Sequence, residues 1–90
     1  MNRETVLEVV IKNIRLNVEG LENRDIDPAK SIDELGASSL DIVEIVSSSM
    51  RELNIRVART ELAGLKNINE LVDLLAGAAG EKQLVATASH

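Results

Sequence analysis

The chain has no cysteine, phenylalanine, tyrosine or tryptophan, a single proline, and one histidine, which is its last residue. Without cysteine no disulfide can close a loop, and no thiolate can serve as nucleophile or metal ligand. With histidine confined to position 90 and no glycine-rich phosphate loop anywhere, the usual parts of an active site are missing. Acidic residues are plentiful, yet none pair within an apolar setting as a general acid and base would. No apolar run approaches the ~20 residues needed to cross a bilayer, and Met1-Asn2-Arg3-Glu4 has neither the charged nor the apolar region of a signal peptide. These absences lead us to expect one cytoplasmic domain without a membrane anchor and without catalysis by its own side chains.

What is present is aliphatic. Val, Ile, Leu, Met and Ala must fill the whole interior, and a core of this kind can repack around a guest. The net charge of −5 is unevenly spread: residues 1 to 18 carry +1, residues 19 to 44 carry −6, and the remainder is neutral. A concentrated negative field disfavours nucleic-acid backbones and suits protein partners that present Arg and Lys, though a solvated acidic loop reads the same way.

Val6, Leu7, Val10, Ile11, Ile14 and Val18 recur at helical spacing, with Glu8, Lys12 and Arg15 on the other side. The spacing predicts a first helix over Arg3 to Leu16. From Asn17 to Ser38 the period vanishes, and Gly20, the Asp25-Ile26-Asp27-Pro28 turn and Gly36 mark a long connection. A loop of that length should have a task or conceal a short helix. Ser31 and Glu34 stand at capping-box spacing, and Leu21, Ile26, Ile32 and Leu35 should pin the loop to the core. A second helix opens with Ser38 as cap and Asp41 three residues on. It carries Leu40, Val43, Val46, Met50 and Leu53 as its apolar stripe, leaves Asp41, Glu44 and Ser47-Ser48-Ser49 largely outside it, and ends at Asn54. One turn over Thr60 to Ala63 follows, stopped by Gly64. The last helix has Asn67 and Glu70 as its start signals and Ile68, Leu71, Val72, Leu75 and Ala79 on its face, running to Gly80. Residues 81 to 90 have no period and should lack fixed structure, so the domain is 1–80 and the tail 81–90. The expected fold is all-α, a small four-helix bundle of three main helices and a short third one, with a long first loop. A monomer is expected.

One segment combines these features into a candidate site. In Leu35-Gly36-Ala37-Ser38-Ser39-Leu40-Asp41 a flexible elbow precedes two hydroxyls at the mouth of a helix. Ser39 falls on the first helical position, where free N–H groups and the positive end of the helix dipole favour an anion such as a phosphodiester. On side-chain chemistry alone both serines read more readily as ordinary helix-start residues.

These residues resemble the attachment motif of acyl carrier proteins, commonly Leu-Gly-x-Asp-Ser-Leu-Asp. The likeness runs from Val6 to about Ala79, roughly four-fifths of the chain, with Val43-Glu44-Ile45-Val46 similar to the family's second helix and Ile68 to Leu75 to its last. The resemblance implies 4'-phosphopantetheine on Ser39, installed from coenzyme A by a phosphopantetheinyl transferase. The reactive thiol then belongs to the arm, and the protein is a tethered substrate. One departure stands beside the motif: Ser38 occupies the place of the usual Asp, a neutral cap that is also a rival hydroxyl.

By the same resemblance Leu40, Asp41 and Glu44 should dock with basic surfaces of partner enzymes, with Val57 beside the arm. Ser47, Ser48, Met50 and Arg51 dilute the acidity that fatty acid carriers usually show along this helix. Glu61-Leu62-Ala63-Gly64-Leu65-Lys66-Asn67-Ile68 is similar to free-standing polyketide carriers, particularly donor carriers of HMG-synthase-like β-branching cassettes. The implied partners are an acyltransferase, a ketosynthase or an HMG-synthase-like enzyme, and the cargo is acetyl or malonyl. A fatty acid or peptidyl carrier is the rival within the family. An unmodified helical adaptor, binding through its acidic second helix, is the rival outside it.

Overall fold

The computed structural model describes residues 2–88, the side chains of 59 and 80–88 excepted. It contains four α-helices and, among the described residues, no strand: α1 (Arg3–Asn17), α2 (Ser39–Leu53), α3 (Arg59–Leu62) and α4 (Ile68–Ala88). The all-α, four-helix architecture is the expected one.

Each start and stop has a local cause. Asn2 caps α1 by accepting from the Thr5 N–H at 2.8 Å, a signal the sequence reading passed over. The first helix ends one residue beyond the expected Leu16. Asn54 closes α2 in the left-handed conformation, φ 55°, which asparagine tolerates better than most residues. The third helix lies one residue earlier than expected.

The last helix departs most from expectation. It passes through Gly77 and Gly80 and continues to Ala88, although the sequence placed its end at Gly80 and gave the tail no fixed structure. A glycine terminates a helix where the chain turns left-handed, whereas one inside a run of Ala, Glu, Lys, Gln and Leu costs only about 1 kcal/mol. Positions 89 and 90 of the expected tail lie outside the described residues.

The core runs along the seam of α1, α2 and α4: Val6, Val10 and Ile14 meet Ile45, Val46 and Leu53 on one side and Ile68, Val72 and Leu75 on the other. The long loop is tied down as anticipated. Leu21, Ile26 and Ile32 are buried and Leu35 half-buried. Ser31 and Glu34 cap one another around a 3-10 turn, Asp33–Leu35, and Gly36 leaves that turn at φ 99°. Two of the loop's carbonyls do a further job. The N–H of Ile68 donates to Lys30 O at 3.0 Å and that of Asn69 to Pro28 O at 2.9 Å, so the loop satisfies the first donors of α4. Its exit at Gly36 is thereby fixed relative to the bundle, and α2 starts from a set position.

The phase of α2 needs a correction. Its buried face is Ile45, Val46, Ser49 and Leu53, with Ile42 half-buried. Leu40 is 81% exposed and Val43 56%. The stripe expected from Leu40, Val43, Val46, Met50 and Leu53 is therefore turned away from the core by roughly a fifth of a revolution, at 100° per residue. Ser49, expected outside the stripe, is fully buried.

Candidate functional site

The opening of α2 is built from its first four residues. The Asp41 N–H donates to Ser38 Oγ at 3.1 Å, and the Ser38 N–H donates to Asp41 Oδ2 at 3.0 Å, a complete capping box. Such a pair fixes the entry of the chain and stabilises the helix by about 1 kcal/mol. It also engages the Ser38 hydroxyl. The next hydroxyl, Ser39, is exposed and has no hydrogen-bond partner among the described residues. The backbone N–H groups of Ser39 and Leu40 likewise find no protein acceptor there. One corner therefore offers a nucleophilic oxygen, two unspent donors and the positive end of a 15-residue helix.

Beyond this corner α2 presents Leu40, Val43 and Glu44 to solvent, with Asp41 half-buried in its cap. Leaving a leucine and a valine in water forgoes up to about 1.5–3 kcal/mol of burial for each, so neither contributes much to holding the bundle together. Glu44 accepts from the Ser48 hydroxyl at 3.0 Å. Among the described residues no acid between 19 and 44 forms an ion pair, so the charge of this region is not neutralised within the fold. The structure leaves Leu40 and Glu44 exposed and Asp41 half-buried, whereas the expected apolar stripe had counted Leu40 and Val43 toward the core.

Alongside lies a groove of ≈ 550 Å³ between α2, α3 and the start of α4. Ile42, Val46, Met50, Leu62 and Leu71 line it, and the half-buried Val57 forms part of its wall. Val57 thus sits on the apolar wall of this groove rather than on the acidic surface.

The chain matches the family model for the phosphopantetheine attachment site over residues 9–75. It is 36% identical over 75 residues to the polyketide biosynthesis acyl-carrier-protein AcpK of Bacillus subtilis strain 168, a match spanning 83% of this chain and 92% of that one. This chain is an acyl carrier protein. As such it carries and does not catalyse, and its cofactor is phosphopantetheine. An acyl carrier protein of Acidothermus cellulolyticus is 30% identical over 79 residues, covering 87% of this carrier and 93% of the relative. The crystal structure of the curacin biosynthetic pathway HMG synthase in complex with acetyl donor-ACP contains a chain 39% identical to this carrier. It superposes with a TM-score of 0.79 and covers 86% of this carrier and 99% of that chain.

One feature of the carrier escaped the sequence. Asn13 of α1 and Ser49 of α2 are both buried, and Asn13 Nδ2 donates to Ser49 Oγ at 3.3 Å and to Val9 O at 2.9 Å. Ser49 Oγ in turn donates to Ile45 O at 2.7 Å. The signal lay in Asn13 standing one position before Ile14 within the buried face of α1.

Proposed function

We propose that Ser39 carries the 4'-phosphopantetheine arm and that the protein is a donor carrier for β-branching in polyketide biosynthesis, delivering a short acyl group, acetyl or malonyl, to an HMG-synthase-like enzyme. The observation that carries the attachment site is the division of labour between adjacent serines: Ser38 Oγ is engaged by the Asp41 N–H, whereas Ser39 Oγ is exposed and unpartnered. A phosphodiester fits there, because the Ser39 and Leu40 N–H groups and the helix dipole meet its charge. The arm supplies a thiol on which acyl groups ride as thioesters. The chain's own residues do the remainder. The capping box holds the serine at the helix mouth, Gly36 and the loop set the angle of approach, and Leu40, Asp41 and Glu44 meet the partner.

The pathway is supported by 39% identity to a chain solved with an HMG synthase as its acetyl donor, and by likeness to a polyketide carrier. We place the protein in the cytoplasm, as a monomer of one carrier domain, residues 1–80, with 81–90 as an appendage. Among the described residues no helix is long and apolar enough to cross a membrane.

The test begins with apo protein, coenzyme A and a broad-specificity phosphopantetheinyl transferase, followed by intact mass. The acetylated carrier is then offered to an HMG-synthase-like enzyme, and the loss of its acetyl group is timed against an unrelated fatty acid carrier. Faster discharge from this carrier is expected. Equal or slower discharge would remove the donor role while leaving the carrier class in place.

A further inference from the structure

The second helix has two overlapping apolar stripes, and the fold centres its buried face on one of them. Leu40, Val43, Val46, Met50 and Leu53 form one, and Ile42, Ile45, Val46 and Leu53, with Ser49 among them, form the other. Val46 and Leu53 are common to both, so hydrophobicity separates the two phases only weakly, and the structure centres on the second and leaves Leu40 and Val43 in water. A contact specific to one phase would settle the choice.

We infer that the buried Asn13–Ser49 pair is a register key: it fixes the rotation of α2 against α1 so that Leu40, Val43 and Glu44 face the partner. Asn13 is 3% exposed, Ser49 is 0% exposed, and 3.3 Å separates Asn13 Nδ2 from Ser49 Oγ across the helix interface. Turning α2 toward the Leu40 and Val43 phase would carry Ser49 out of the seam and leave the Asn13 amide facing aliphatic side chains, with one hydrogen bond lost in a setting where water cannot replace it. A buried polar pair of this kind sets orientation rather than strength. The Lys12–Glu52 ion pair, at 2.6 Å, joins the same two helices one residue from Asn13 and three from Ser49, and reinforces the register from the solvent side. Asn13 and Ser49 are positioning residues, since neither reaches the surface that partners meet. Their role in docking rests on the reading of α2 given above.

The absence of cysteine gives a clean reporter. With Val43→Cys in the full chain, the rate of thiol labelling by a maleimide measures how far position 43 faces solvent. In that background Asn13→Leu with Ser49→Ala replaces the pair by apolar groups, which leaves no polar atom stranded. Labelling should slow several-fold while the helical circular dichroism is kept, and, without the reporter, the same pair should raise the KM of the phosphopantetheinyl transferase for the carrier several-fold with little change in kcat. Ser49→Ala alone, which removes the bond between the helices together with the Ser49 bond to Ile45 O and leaves Asn13 its bond to Val9 O, should shift both in the same direction by less, and it decides the matter should the double variant not fold. Labelling at the parental rate in every folded variant would overturn the register key. Slower labelling with an unchanged KM would keep the key and refute the docking reading of α2.

Discussion

The two helices that begin at Ser39 and Ile68 open with the same local grammar and opposite surroundings. Each has a polar cap, Ser38 or Asn67, whose side-chain oxygen accepts from the N–H three residues on, Asp41 at 3.1 Å and Glu70 at 2.8 Å. At α4 the next donors are taken by Lys30 O and Pro28 O, and the first helical side chain, Ile68, is wholly buried. At α2 the corresponding donors have no protein acceptor, and the first side chain, Ser39, is exposed. A capping motif thus specifies where a helix starts. Whether that start is structural or available for chemistry is decided by what the rest of the chain lays across it. Here the long loop covers one mouth and leads into the other.

Substitutions at matching positions should separate the two ends. Ser39→Ala should abolish loading altogether with an unchanged circular dichroism spectrum, read by intact mass. Its counterpart, Ile68→Ala, should cost about 2–5 kcal/mol of stability in urea unfolding, because it opens a cavity at the centre of the core. Leu40→Ala, next to Ser39, should change stability by no more than about 0.5 kcal/mol while weakening partner turnover, since its side chain is already in water. Ser38→Ala should lower stability by about 1 kcal/mol and leave Ser39 modifiable. Reversing Asp41 and Glu44 to Lys should slow turnover by a basic partner enzyme and flatten its dependence on salt; kinetics indifferent to the change would count against docking through this face. Smallest of all, Lys12→Ala should cost about 0.5 kcal/mol or less, because the Lys12 and Glu52 side chains are 54% and 38% exposed.

Much of this contrast could be read in advance, and the parts that could not share a cause. The first and last helices each carry one apolar stripe, so periodicity alone phased them. Apolar residues at 40, 42, 43, 45, 46, 50 and 53 wrap α2 too widely for periodicity to decide. The expected stripe passed over Ile42 and Ile45, and a serine was discounted as a core residue. Ser49 is admitted to the core by an asparagine 36 residues away, and no local window contains both. The end of α4 was misread for a related reason: a glycine stops a helix through the backbone angle it adopts, which composition does not reveal. At the site, Ser39 was singled out by its motif, whereas the engagement of Ser38 and the freedom of Ser39 are matters of geometry.

The central claim is that the chain, having no thiol, acquires one through the Ser39 oxygen. Fragmentation of the tryptic peptide from transferase-treated wild-type protein locates the added group directly. The account predicts the phosphopantetheine mass on Ser39 with Ser38 bare; the mass on Ser38, or no modification at all, would contradict it.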